Sequence, residues 1–273
     1  MPELPEVETI ARGLNRAISG KTFAGAEVRL PRVVVAKDAR PLGTALAGDR
    51  VEHVGRRGKY VCVGLASGRT LAVHLRMTGR LIVQAAADAP APLPYTNVLL
   101  HFTDGSRLAF ADARTFGRMR LVEPEEAWAA DFGLETLSHG FSYERFSELL
   151  AGRKTPIKVF LLDQRHIVGI GNIYACEALW GARIRPARPA GTLSKQARKR
   201  LHQSIMDVLR HAIEMRGTSI DDYVDADGLR GGFQNVLSVY GREGESCSRC
   251  GRKIVRTVIA QRGTWWCRTC QKT

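Results

Sequence analysis

Acidic charge is what this 273-residue sequence has too little of. Its 27 Asp and Glu stand against 41 Lys and Arg, giving a formal net charge of +14 and a pI near 10.0. A solvated surface does not need that excess, and its usual partners are polyanions, either nucleic acid or an anionic membrane face. Long apolar runs are missing too: no stretch approaches the roughly 18–20 residues of a membrane-spanning helix. The opening MPELPEVETI has neither the basic n-region nor the apolar h-region of a secretory signal, so a cytoplasmic protein is expected. No internal repeat is present. With 44% hydrophobic and 25% charged residues the chain reads as soluble and globular, and its length suits two domains, each able to bury a core.

Cysteine is also scarce, and its placement is informative. Of the six cysteines, Cys62 and Cys176 fall in apolar segments and read as small core residues. Cys247, Cys250, Cys267 and Cys270 form C-x2-C, a spacer of sixteen residues, and C-x2-C. Two disulfides are the alternative, but nothing points to an oxidising compartment. The spacing suits a tetrahedral thiolate site holding one structural zinc ion, with no open position for catalysis. The spacer reads as a hairpin: TVIAQ, a turn at Arg262–Gly263, then TWWC. From Gly241 to the end eight Lys/Arg face two acids. A second basic run, Arg183 to Arg210, serves equally as a solvated helix face.

Hydrophobic periodicity divides the rest. Val7, Ile10, Ala11, Leu14 and Ile18 recur at helical spacing, with Pro5 near the start and Gly20 at the end. From Phe23 to about Glu123 the period becomes two, in KYVCVGL, TLAVHL, NVLLHF and RLAFAD, separated by Ser-Gly and Asp-Gly turns. This predicts an antiparallel β-sandwich with the first helix packed on it. AAADAPAPLPY reads as a surface loop. Beyond about Phe132 the pattern is helical: FSYERFSELLAGR, PIKVFLLD, HIVGIGNIYACEALWGA and a long helix from Ser194. RGTSIDDYVDADGLRGGFQ, polar and Gly-rich, is expected to be a mobile loop. The division expected is 2–132, 133–236 and 237–273, an α+β chain of two domains closed by the zinc hairpin.

Several residues carry chemistry in one reading and ordinary structure in another. Removal of Met1 would leave Pro2 with a free secondary amine, a nucleophile at neutral pH whose adduct with a sugar carbon is a cationic iminium. Glu3 beside it can shuttle protons; Pro and Glu also simply suit a helix start. Met77 in HLRMTG, with Arg114 and Phe116 in DARTFG, can form a wedge entering a base stack or belong to core and turn. Lys59 and Arg262 suit phosphates, and Asn172 opens a helix after two glycines, an anion site or a plain cap.

The order and spacing of MPELPEVET, GKY, HLRMTG, DARTFG, GIGNIYACEALW, YVDADGLRGGFQ, VYGR and AQRGT resemble the bacterial formamidopyrimidine-DNA glycosylase family over essentially the whole chain. The resemblance implies a base-excision enzyme for 8-oxoguanine and ring-opened purines. It implies an N-terminal β-sandwich and a helical domain with a helix–two-turn–helix motif, with DNA between them. The implied catalytic set is Pro2, Glu3, Lys59 and Arg262, with Pro2 as nucleophile and Glu3 as acid; Lys59 and Arg262 contact phosphates. Met77, Arg114 and Phe116 are implied to fill the void after base flipping. Asn172, Lys158 and Tyr240 are grouped with them as DNA-binding residues. A Schiff base followed by β,δ-elimination needs no cofactor beyond the structural zinc. The implied partner is double-stranded damaged DNA, bound by a monomer without a membrane. The departures are small: Cys176 where a small residue is expected, and Arg76 at a variable place. The rivals are an endonuclease VIII-type enzyme for oxidised pyrimidines and a DNA-binding protein without catalysis.

Overall fold

The protein is described by a computed structural model over residues 1–35, 41–86, 93–122, 128, 130, 132–220, 223–226 and 228–272. It divides into two compact units, 1–131 with 215–232, and 132–214 with 233–273.

The first unit opens with helix α1 (Leu4–Ile18). The apolar stripe expected from the sequence is its buried face, and Gly20, at φ +84, takes the backbone out of the helix. Eight strands follow: β1 (Phe23–Val28), β2 (Val51–Arg57), β3 (Tyr60–Leu65), β4 (Thr70–His74), β5 (Arg80–Gln84), β6 (Thr96–Phe102), β7 (Arg107–Ala111) and β8 (Arg118–Val122), with a short helix α2 (Leu42–Leu46) after β1. They form two four-stranded antiparallel sheets, β1-β6-β7-β5 and β2-β3-β4-β8. Val61, Val63, Leu71 and Val73 of one sheet, Leu81, Leu100, Leu108 and Phe110 of the other, and the α1 stripe share one core. Burying each such side chain contributes roughly 1.5–3 kcal/mol.

The Gly-rich stretch differs from expectation. Part of it, residues 221, 222 and 227, lies outside the described residues, as do 87–92 of the Ala/Pro-rich loop. The described remainder is anchored at points while Ile220 and residues 228–230 stay exposed: Tyr223 and Ala226 join the core of the first unit, and the Asp225 carboxylate accepts from Arg216 and from the Leu229 N–H. Gly13 of α1 makes room for it, since a Cβ there would lie 2.9 Å from the Ala226 methyl. This is why 215–232 belongs with the first unit rather than with the helical segment that the sequence division gave it. A polar, Gly-rich composition hides such packing because its few apolar side chains show no helix or strand period.

The second unit holds helices α3 (Tyr143–Leu150), α4 (Ile157–Leu162), α5 (Asn172–Gly181) and α6 (Lys195–Glu214). With them are a two-stranded parallel pair, β9 (Leu134–Glu135) with β10 (Ile167–Val168), and a hairpin, β11 (Val255–Ile259) with β12 (Arg262–Trp266). Ser142 caps α3 by accepting the Arg145 N–H. Helix α5 is buried all round from Tyr174 to Leu179, as expected of a central helix. Cys176 is one of its core residues, packed with Val239, Cys247, Ile254 and Cys267. Among the described residues no helix is long and apolar enough to cross a membrane.

Candidate functional sites

Pro2 and Glu3 are buried at the head of α1. Glu3 is the N-cap, and its N–H donates to Glu6 Oε2 at 2.7 Å. The other oxygen of Glu6 accepts the N–H of Thr218 at 2.7 Å. Glu6 is 2% exposed, so one buried carboxylate ties the chain start to the Gly-rich segment. Gly217 must be glycine for this: its φ is +82, and a Cβ would stand 2.8 Å from Glu6 Oε1. Glu6 is not singled out from the sequence; its E-x-x-E spacing from Glu3 was the available signal.

Lys59 lies in the two-residue turn between β2 and β3, where Arg57 pairs with Tyr60, and Gly58 supplies the positive φ of +55. It is buried. Close by in the paired strand, His74 Nδ1 accepts the Arg76 N–H at 3.0 Å, and its ring meets Tyr60 edge-on. Burial, with help from Arg76 and Lys59, pushes the imidazole down to about 3, so it stays neutral.

Met77 follows in the turn after β4 and is 39% exposed; Phe116, in the bend between β7 and β8, is 51% exposed. Arg114 is exposed as well, its guanidinium 5.3 Å from the Phe116 ring centroid. These residues lie in turns and are not core residues. Asp112, 1% exposed, supports the bend. Its Oδ1 accepts from the Thr78 hydroxyl and the Arg114 N–H, and its Oδ2 accepts from the Gly117 N–H. Neither Asp112 nor Thr78 was singled out from the sequence; an Asp opening a tight bend is the signal that was there.

In the second unit the hairpin differs from expectation in its turn. Ile259 pairs with Arg262, so the turn is Ala260–Gln261, with φ +47 and +59. Arg262 is the first residue of β12 and is exposed. Two-residue hairpins want positive φ at both central positions, normally from Asn or Gly. Gly263 therefore looked like the turn residue, yet it serves close packing: a Cβ there would meet the Trp265 ring at 2.9 Å. The Gly263 carbonyl accepts from Lys158 Nζ at 2.8 Å and from Asn172 Nδ2 at 3.1 Å.

Lys158 is fully buried and also donates to Thr264 Oγ1 at 2.6 Å. Its ammonium thus holds the start of β12, next to Arg262. Asn172 is the first residue of α5, with Gly171 as cap. Tyr240 packs its ring 4.5 Å from Trp265, and its N–H, with those of Ser238 and Val239, donates to Glu177. Burial pushes the Glu177 carboxyl up despite these three donors.

The four hairpin cysteines offer sulfurs that all lie within 4.8 Å of one another. The Cys250–Cys267 and Cys247–Cys270 separations are 3.5 and 3.9 Å. A tetrahedral zinc with Zn–S bonds near 2.3 Å needs sulfurs roughly 3.8 Å apart. Burial and the neighbouring sulfurs push the Cys270 thiol up to about 12. Cys247 goes the other way, down to about 6, because hydrogen bonds to its sulfur, that of the Arg249 N–H foremost, outweigh its burial; a divalent cation in the cluster would hold the sulfurs together as thiolates. The cluster is the site of one structural zinc ion.

Three family models match in order along the chain. They are the formamidopyrimidine-DNA glycosylase N-terminal domain over 1–119, the formamidopyrimidine-DNA glycosylase H2TH domain over 132–224, and the zinc finger found in FPG and IleRS over 244–273. A formamidopyrimidine-DNA glycosylase from Pelotomaculum thermopropionicum is 44% identical, covering 100% of this chain and 99% of that one. The Lactococcus lactis Fpg is 36% identical. A mutant of that protein, solved with a Fapy-dG containing DNA, superposes with a TM-score of 0.91 and covers 100% of both chains. Its wild type with an oxidised pyrimidine containing DNA gives 0.89 and the same coverage. The chain belongs to the formamidopyrimidine-DNA glycosylase family.

Proposed function

We propose that the chain is a bifunctional DNA glycosylase and AP lyase of base-excision repair, acting on oxidised and ring-opened purines in double-stranded DNA. The observation that carries this reading is the locked N-terminus. With Met1 removed, the Pro2 nitrogen is a secondary amine at the head of a core helix, and Glu6 fixes the adjoining Glu3 N–H. The amine attacks C1′ of the damaged nucleotide; the glycosidic bond breaks and the base leaves with a proton, for which Glu3 is the donor. Loss of the amine proton and opening of the C1′–O4′ bond, whose oxygen takes up a proton, turn this adduct into an iminium, which withdraws electrons so that C2′ loses a proton and the C3′–O bond breaks, and the C5′–O bond follows. Met77, Arg114 and Phe116 occupy the space the extruded nucleotide leaves. Lys59, Asn172 and Arg262 hold phosphates, with Lys158 and Tyr240 acting through the hairpin they support.

Borohydride should trap a covalent protein–DNA adduct on lesion duplex, and the adduct should vanish in Pro2→Gly. A processed wild-type protein that binds lesion DNA and never traps would overturn the reading. The complex of a relative with oxidised pyrimidine DNA favours one second reading, a preference for pyrimidine lesions. Faster release of thymine glycol than of 8-oxoguanine would decide for it.

A further inference from the structure

Each apolar residue of the wedge follows a strained residue. Arg76, before Met77, has φ +55, and Thr115, before Phe116, has φ +56. Neither is glycine, and such positions persist only where the surroundings over-determine them. The first turn is held by His74 Nδ1 on the Arg76 N–H. The second is held from three sides. Arg32 donates to the Thr115 hydroxyl, Arg118 donates to the carbonyls of Thr115 and Gly117, and the Thr115 N–H donates to the Asp112 carbonyl. Gly117 cannot change, because a Cβ would stand 2.5 Å from the Phe110 ring and 3.1 Å from Asp112 Oδ2.

The Thr78 hydroxyl, next to Met77, joins the two turns, donating to Asp112 Oδ1 at 2.5 Å and accepting the Arg114 N–H at 3.4 Å. The same carboxylate oxygen accepts the Arg114 N–H at 3.2 Å, and the sister oxygen accepts the Gly117 N–H at 2.7 Å. A buried carboxylate with three donors from two separate turns fixes them relative to each other, because losing any donor leaves an under-satisfied charge. We infer that Asp112 and Thr78 are positioning residues that couple the Met77 turn to the Arg114–Phe116 bend, so that both halves of the wedge enter the stack in one step. Neither touches the reacting atoms. The inference rests on the void-filling role proposed for Met77, Arg114 and Phe116.

A substrate without a stack separates positioning from folding. Single-turnover release of 8-oxoguanine from a duplex needs the wedge; strand cleavage at an abasic site in single-stranded DNA does not. Thr78→Val should slow the duplex reaction about tenfold and change the single-strand reaction less than about twofold, and Thr78→Ser, which keeps the hydroxyl, should restore the duplex rate. A duplex rate in Thr78→Val equal to wild type would overturn the coupling. Equal losses on both substrates would overturn it as well, by reporting general damage. Phe116→Ala is measured alongside: if it too leaves the duplex rate unchanged, the void-filling reading has failed rather than the coupling.

Discussion

The chain start and the closing hairpin are held in place by opposite means. Pro2 and Glu3 stand at the head of a helix whose stripe enters a core shared by two four-stranded sheets. What distinguishes the site there is a few hydrogen bonds to buried carboxylates, Glu6 and Asp112. The hairpin has no such reserve: its buried cluster is Cys176, Val239, Cys247, Ile254 and Cys267, two of them metal ligands. Where the core is large, polar bonds only aim side chains, and losing one alters geometry. Where it is small, the metal decides whether the element exists.

The largest effect should therefore come from Cys267→Ser. Structural zinc contributes about 10–16 kcal/mol of binding energy in comparable fingers, far more than the hairpin's own packing supplies. The variant should lose its zinc and its β11–β12 amide protection, and with them the placement of Arg262. Atomic absorption and hydrogen exchange measure both. One zinc per chain retained with normal protection would remove the contrast.

The next effect lies at the other end and is driven by pH. His74 is held neutral, with its folded value near 3 against an ordinary 6.5. The unfolded chain binds a proton there first, so stability is lost as pH falls from 6.5 towards 3. Between pH 7 and pH 5 the loss from this one group is about 2 kcal/mol. Urea midpoints at the two pH values, compared with those of His74→Gln, isolate it. An equally steep loss in the variant would assign the acid sensitivity to other groups.

Much of this arrangement was legible in the sequence, and what was not shares a cause. Periodicity located α1, the strands β3, β4, β6 and β7, and the four main helices of the second unit, because each has a one-sided apolar pattern that the core then uses. Cysteine spacing located the zinc site. The residues that were missed, Glu6, Thr78, Asp112, His74 and Glu177, act through backbone N–H groups or a partner far away in the chain. A buried carboxylate looks the same in sequence as a solvated one. Lys158 was grouped with the DNA-binding residues through the resemblance alone, and only the fold places its ammonium on the Gly263 carbonyl.

The smallest effect comes from the turn misplaced by two residues. Ala260 and Gln261 both sit at positive φ, a geometry that Asn-Gly adopts with little strain. The double variant Ala260→Asn, Gln261→Gly should make the hairpin about 1 kcal/mol more stable, read as slower amide exchange at Val258 and Thr264. The register Ile259↔Arg262 is unchanged by the swap, so lesion-duplex affinity should hold. Faster exchange would mean that the turn is closed by something other than these two residues. Slower exchange with weaker DNA binding would mean that the strained pair sets the direction of Arg262. The hairpin would then share with the Arg76 and Thr115 turns the use of backbone strain to aim a side chain, and the two ends would differ only in what bears that strain.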